Sequence, residues 1–321
     1  MSRTLRLTFL LIGVTLVTVM IWQSGPAELV RGLRSSLWVV AALMPLWAAV
    51  YVLNAIAWQL LTSDGGPRLP LWRASVMTVA AFAVNYSTPL ASFGGEPLKI
   101  IAATKVLGQR RAVGSVVAFR LLHALAHVVA FILALIPALI ILPKTPVIVG
   151  GIVITGLVLG GITWFLFSRH REGLAVHLLH LLGRVPLLRR LAAKLEPKTA
   201  ALHEIDEHVT AVYVRNPRRF YLALAVETSA RFLALAEYWI ILYGMGLGVD
   251  PWKAFVVGSF SSLVVNIFIF MPFELGAKEG ALLLMFSWLG ITPALALQAG
   301  MLSRLRELLW IAVGWVLLWV M

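Results

Sequence analysis

Apolar runs long enough to cross a bilayer alternate with short polar or basic stretches along almost the whole chain. Runs near 5–22, 36–61, 71–88, 112–142, 147–168, 220–247, 252–272 and 292–320 predict eight helical spans, because a hydrocarbon core of about 30 Å needs about 20 apolar residues of helix. Two shorter apolar stretches, 98–107 and 281–289, cannot cross, and each follows a break rich in Gly and Pro.

The breaks share a skeleton. Asn85 precedes Pro89, then Gly94, Gly95, Glu96 and Lys99; Asn266 precedes Pro272, then Gly276 and Glu279. Each Glu lies seven positions beyond its Pro, and an Arg follows 24 or 25 residues later, at Arg120 and Arg304. Paired interrupted segments in corresponding halves point to a transporter-like repeat with its site where the repeats meet. The expected fold is therefore all-α and polytopic: about eight spans plus half-helices in two re-entrant hairpins, 71–107 and 252–289, in an inverted repeat. The chain divides into a signal-anchor span and loop (1–35), repeat one (36–142), a connecting span (143–168), a cytoplasmic interfacial linker (169–216) and repeat two (217–321).

Composition agrees: 60% of the 321 residues are hydrophobic and 13% charged, with a mean hydropathy of +0.92. The formal charge of +13 would raise nucleic acid in a soluble protein. Here the positive-inside rule explains it, since the basic residues gather between spans and in the linker. No nucleic-acid partner is expected. Charge bias also places the amino terminus and linker in the cytoplasm, and with them the first hairpin's base; the second hairpin then enters from the other face. A retained signal anchor is expected at the amino terminus, because no A-x-A-like cleavage site follows at 23–27. There is no cysteine, which excludes disulfides and thiolate metal sites, and neither a cofactor nor a metal is expected.

Glu96, Arg120, Glu227, Arg231, Glu237, Glu279, Arg304, Arg306 and Glu307 fall inside or at the edge of these segments. Nine such charges facing lipid would cost on the order of 20–30 kcal/mol, more than a marginally stable fold absorbs. They must face one another or water. Glu227 with Arg231 and Arg304 with Glu307 are spaced to pair on one helix. Glu96 and Glu279 recur beside Gly, suited either to capping a half-helix or to gating and proton coupling. Arg120 and Arg304 either grip a phosphate in bidentate fashion or neutralise those glutamates. His123 and His127 share the Arg120 face and read as interior polar groups, since two His without a third ligand make a poor metal site. Gly156 and Gly160 form a GxxxG suited to close helix contact, and Trp22, Trp38, Trp72 and Trp252 fit interfacial anchors.

The stretch from Asn85 through GGEPLK, then Arg120, PFELGAKEG at 272–280 and Arg304, resembles the transmembrane domain of the lysylphosphatidylglycerol synthase/flippase family along nearly the whole chain. The resemblance implies movement of a phospholipid, or another lipid with a large head group, between leaflets of a bacterial cytoplasmic membrane. It implies a substrate site at Asn85, Pro89, Gly94, Gly95, Glu96, Lys99, Pro272, Gly276, Glu279 and Arg304, to which the charge argument adds Arg120 and Glu307. Membrane lipids with anionic or phosphate-bearing head groups are the expected partners, and a lipid-modifying enzyme is a further one. The chain stops at Met321 within its last span, without the aminoacyltransferase domain of two-part members, so no enzymatic activity is expected. Two rivals remain. An intramembrane lipid-pyrophosphate phosphatase would need a nucleophile or metal-organising cluster that the breaks do not display. A non-transporting partner of lipid-modifying enzymes would work through the basic linker.

Overall fold

The computed structural model describes Thr18, Trp22 and residues 26–62, 67–87, 94–169, 216–248, 250–268 and 274–320. Apart from Thr18 and Trp22, the expected first span lies outside the described residues, as do residues 170–215 of the interfacial linker, Pro89 and Pro272. Nine helices, and no strand, are found among the described residues: α1 (Pro26–Leu61), α2 (Leu71–Ser87), α3 (Gly95–Leu107), α4 (Gln109–Ile141), α5 (Pro146–Arg169), α6 (Pro217–Gly244), α7 (Pro251–Ile267), α8 (Ala277–Trp288) and α9 (Pro293–Val320). Boundaries follow local chemistry. Pro217 and Pro251 sit at first-turn positions, where no N–H is needed. Asp250 caps α7 by accepting from the Trp252 N–H at 2.6 Å, and Gly108, at φ +77, makes the corner between α3 and α4.

Three described helices are long and apolar enough to cross a membrane: Leu33–Leu61, Gln109–Ile141 and Pro146–Trp164. This is fewer than the eight spans expected from the sequence. The 28 residues of α6 and α9 suffice in length, but their interior charges lower the hydropathy. At 17 residues, α2 and α7 reach only about 25 Å. The stretches predicted to be too short to cross are indeed the separate helices α3 and α8, of 13 and 12 residues.

The principal packings of α1–α4 recur among α6–α9. Helix α1 packs on α2, α2 on α3, α3 on α4 and α1 on α4; α6 packs on α7, α7 on α8, α8 on α9 and α6 on α9. Crossed contacts correspond as well, α2 with α9 against α7 with α4, and α1 with α9 against α6 with α4, around a shared α1–α6 contact. Side chains fix the directions. Val39 lies against Gly244, Trp47 bonds Glu237 and Asn54 bonds Glu227, so α1 and α6 run antiparallel. Trp58 bonds Ser115 and Arg111 bonds the Thr62 carbonyl, so α4 is antiparallel to α1. Ser36 bonds Gln298 and Tyr51 stacks on Trp310, so α9 is parallel to α1. The long helices at corresponding places, α1 with α6 and α4 with α9, thus point in opposite directions.

Two apolar cores lie at opposite ends of the α1–α6 pair. One joins Ala55, Trp58, Met77, Ala103, Phe119 and Phe220. The other joins Val39, Leu43, Ile241, Val257, Leu282 and Phe286. Burial of such side chains, worth about 25 cal/mol per Å² of apolar surface removed from water, is replaced in lipid by close packing. Gly156 approaches the Leu135 side chain, a Cβ there lying 3.2 Å from it, whereas Gly160 has open space; half of the GxxxG makes the expected contact. Trp22, Trp38, Trp72 and Trp252 are exposed.

Candidate functional site

Between the two cores, α1 from Trp47 to Asn54 and α6 from Glu227 to Glu237 turn polar groups toward α4 and α9. Two charged clusters form there, one in each quartet.

In the first, Arg120 on α4 meets Glu96, in the opening turn of α3, at 3.7 Å, with the two side chains 30% and 13% exposed. One Glu96 oxygen, Oε2, is buried without a hydrogen-bond partner. The glutamate does not cap its helix. Asn85, near the end of α2, does so instead, its Oδ1 accepting the Gly95 N–H at 2.6 Å. That bond ties α2 to α3 across the break, so Asn85→Ala should destabilise the protein by about 1 kcal/mol, read as a lowered melting temperature in detergent. Lys99 is buried beneath Trp58 and Phe119, its Nζ 5.4 and 4.8 Å from the ring centroids, an arrangement that satisfies the charge within the fold. Glu227 pairs across the helices with His123 at 2.5 Å and accepts from Asn54 at 2.8 Å. Arg231 donates to Ser262 on α7. The expected Glu227–Arg231 pairing along one helix is therefore replaced by bonds to neighbouring helices.

The second cluster is tighter. Arg304 donates to Glu279 at 2.5 Å and to the Glu274 carbonyl at 3.3 Å. Glu279 also accepts the Gly276 N–H at 2.9 Å, so here the glutamate does cap its helix, and Gly276 is in the left-handed region at φ +82. Lys278 bonds Glu307 and lies 3.7 Å from Glu274. Tyr86, from the first quartet, donates to Glu274 at 3.0 Å. Arg306 makes two bonds to Glu237, at 2.9 and 2.8 Å, and stacks over Trp47, 3.8 Å from the ring centroid. The Arg304–Glu307 pairing expected along α9 gives way to these longer-range partners. Glu274 itself holds φ +55, a left-handed conformation costing a non-glycine residue on the order of 1–2 kcal/mol, which concentrates strain at the break.

Both quartets thus carry a first-turn glutamate paired to an arginine of the long helix that follows. The lysylphosphatidylglycerol synthase TM region family matches residues 8–314. The chain belongs to that family. No curated protein and no solved structure matches it. Membership in the lysylphosphatidylglycerol synthase TM region family makes this a membrane protein with a membrane-lipid-related function.

Of the residues singled out from the sequence, the structure brings Asn85, Gly95, Glu96, Lys99 and Arg120 into the first cluster, with Gly94 at the cap of α3, and Gly276, Glu279, Arg304 and Glu307 into the second. Glu274, Lys278, Tyr86, Trp47 and Asn54 join them without having been marked as candidates. Asn54, one of two amides in an otherwise apolar run, and Glu274 and Lys278, two charges beside a Gly break, carried a readable signal. Tyr86 and Trp47 did not. No group of three or more His, Cys, Asp or Glu suited to a metal ion occurs among the described residues.

Proposed function

We propose that this protein is a lipid translocator, moving a phospholipid or another lipid with a large anionic or phosphate-bearing head group between leaflets of a bacterial cytoplasmic membrane, without catalysing a reaction. In this reading α1–α4 and α6–α9 are an inverted repeat, and the pairs α2/α3 and α7/α8 are re-entrant hairpins from opposite faces. The amino terminus and the linker are cytoplasmic. A lipid-modifying enzyme is a fitting partner, as the source of the head group.

The observation that carries the reading is the recurrence of one ion pair, Glu96 with Arg120 and Glu279 with Arg304, in quartets whose long helices, α1 with α6 and α4 with α9, point in opposite directions. Charges in a bilayer face a partner or a hydrated path, and interrupted helices at a repeat interface are where transporters bind their substrates. The two pairs differ in tightness. Arg304 and Glu279 are in direct contact, whereas Arg120 is partly exposed and stands farther from its glutamate, a looser arrangement that a head-group phosphate can enter to accept from the guanidinium. Rocking of one quartet against the other about the α1–α6 contact would expose the cluster to each leaflet in turn.

Labelled phosphatidylglycerol in proteoliposomes provides the test. Arg120→Ala and Glu96→Gln should each slow transfer about ten- to hundred-fold, the effect of losing a charge-assisted bond worth about 1.5–3 kcal/mol. Wild-type rates in both variants, at matched reconstitution, would dismiss the site.

A further inference from the structure

The two interfaces between the quartets are built alike but charged differently. Where α1 meets α6 and α9, Glu237 is held by Arg306 and Trp47, groups that keep their charge and bonds at any physiological pH. Where α6 meets α4 and α1, the corresponding place is filled by Glu227, His123 and Asn54. Imidazole is the side chain whose protonation ordinarily changes in the physiological range. Glu227 is 1% exposed, and its second oxygen has no hydrogen-bond partner. His123 is one turn beyond Arg120 on α4, and its side chain is 33% exposed against 30% for Arg120, so both are partly exposed on one side of that helix.

Formal charges separate the clusters further. The first holds Lys99 and Arg120 against Glu96 and Glu227, so its charges balance before His123 is counted, while Arg231 stands between the clusters among Glu237, Glu227 and Glu274. The second holds Lys278, Arg304 and Arg306 against Glu237, Glu274, Glu279 and Glu307, an excess of one negative charge. Around His123 and Glu227, α3 contributes Glu96 and Lys99, α4 contributes Arg120 and His127, and α6 contributes Arg231. The facing stretches of α1 (Asn54 to Leu61) and α7 (Ala254 to Ile267) carry no ionisable side chain.

We propose that the His123–Glu227 pair is a proton-binding site linked to the head-group site at Arg120, so that the protein takes up a proton when an anionic head group binds. The inference rests on the lipid-translocator reading and adds its ionic coupling. An added positive charge on a water-poor cluster whose cations already match its carboxylates is unfavourable until an anion arrives; the phosphate offsets that charge, and imidazolium in turn holds both the phosphate and Glu227. Linkage makes the effect reciprocal: whatever factor the phosphate adds to proton affinity, the proton adds to phosphate affinity. His127, whose Nδ1 lies 2.9 Å from the His123 carbonyl and whose ring packs edge-on against His123, extends the polar line along α4.

Titration calorimetry of the purified full chain with dihexanoyl-phosphatidylglycerol, run near neutral pH in buffers of different ionisation heat, counts protons taken up per lipid. The expected result is net uptake of a fraction of a proton approaching one, lost in His123→Gln and retained in His127→Gln. Binding without uptake in the wild-type protein would overturn this inference while leaving the translocator reading intact. No binding at all would count against the translocator reading itself, and with it the inference. Uptake that persists in His123→Gln would assign the proton to another group and overturn the inference as well.

Discussion

Replacing Arg306 by methionine should destabilise the protein by about 3–5 kcal/mol, the usual consequence of breaking a buried ion pair from one side. The carboxylate of Glu237 is almost wholly buried and depends on two bonds from one Arg306 nitrogen, with Trp47 supplying a third. Without the guanidinium, a buried negative charge is left with an indole N–H, and Trp47 loses the cation packed on its face. Removing both charges is a different matter, since apolar groups of similar volume often replace a buried pair at little cost. Arg306→Met combined with Glu237→Leu should therefore recover most of the loss. Equilibrium unfolding in mixed micelles measures both. A single variant within about 1 kcal/mol of wild type would mean that water reaches Glu237 and that this interface is not a fixed clamp.

Gly95→Ala should be comparably damaging, at or above the upper end of the usual overpacking range of about 1–3 kcal/mol. A Cβ at Gly95 would lie 2.3 Å from the Ala81 carbonyl oxygen and 2.8 Å from two further backbone atoms of Ala81. No rotamer change relieves a clash with backbone, so α3 must move off α2. Glu96 is the next residue, and its pairing with Arg120 would move with it, so lipid transfer should fall together with stability. Gly280, in the first turn of α8, is the control: a methyl group there would have nothing within 4 Å, and Gly280→Ala should be neutral or stabilising by up to about 1 kcal/mol. Equal losses in the two variants, by unfolding and by transfer assay, would refute a special closeness between α2 and α3.

Much of this arrangement is legible in the chain because membrane helices follow length and hydropathy closely. The breaks at 85–99 and 266–280 separate the very helices they predict, and the recurrent Pro, Glu and Arg spacing anticipates the Glu96–Arg120 and Glu279–Arg304 pairs. Less legible is the choice of partners across helices. Sequence spacing offers Glu227 to Arg231 and Arg304 to Glu307, yet a neighbouring helix brings His123 to the one, and Lys278 to Glu307 in the other. Capping divides the two glutamates for a similar reason. Glu279 is the third residue of its helix and reaches back to the N–H of the cap residue Gly276, whereas Glu96 is only the second residue of α3, and the first, Gly95, donates to Asn85 from α2. Tyr86 and Trp47 read as ordinary apolar-run aromatics; only the approach of the second quartet gives their O–H and N–H groups carboxylates to bond.

Opposed entry of the two short helix pairs underlies the whole functional reading, and the absence of native cysteine makes it directly measurable. Gln109, at the α3–α4 corner, and Thr292, before α9, are both exposed and mark the bases of the two pairs. Single variants Gln109→Cys and Thr292→Cys, treated with a membrane-impermeant maleimide, should label from opposite faces, Gln109→Cys from the cytoplasmic side and Thr292→Cys from the outside. Labelling of both from one face would contradict the inverted arrangement and the alternating-exposure mechanism built on it.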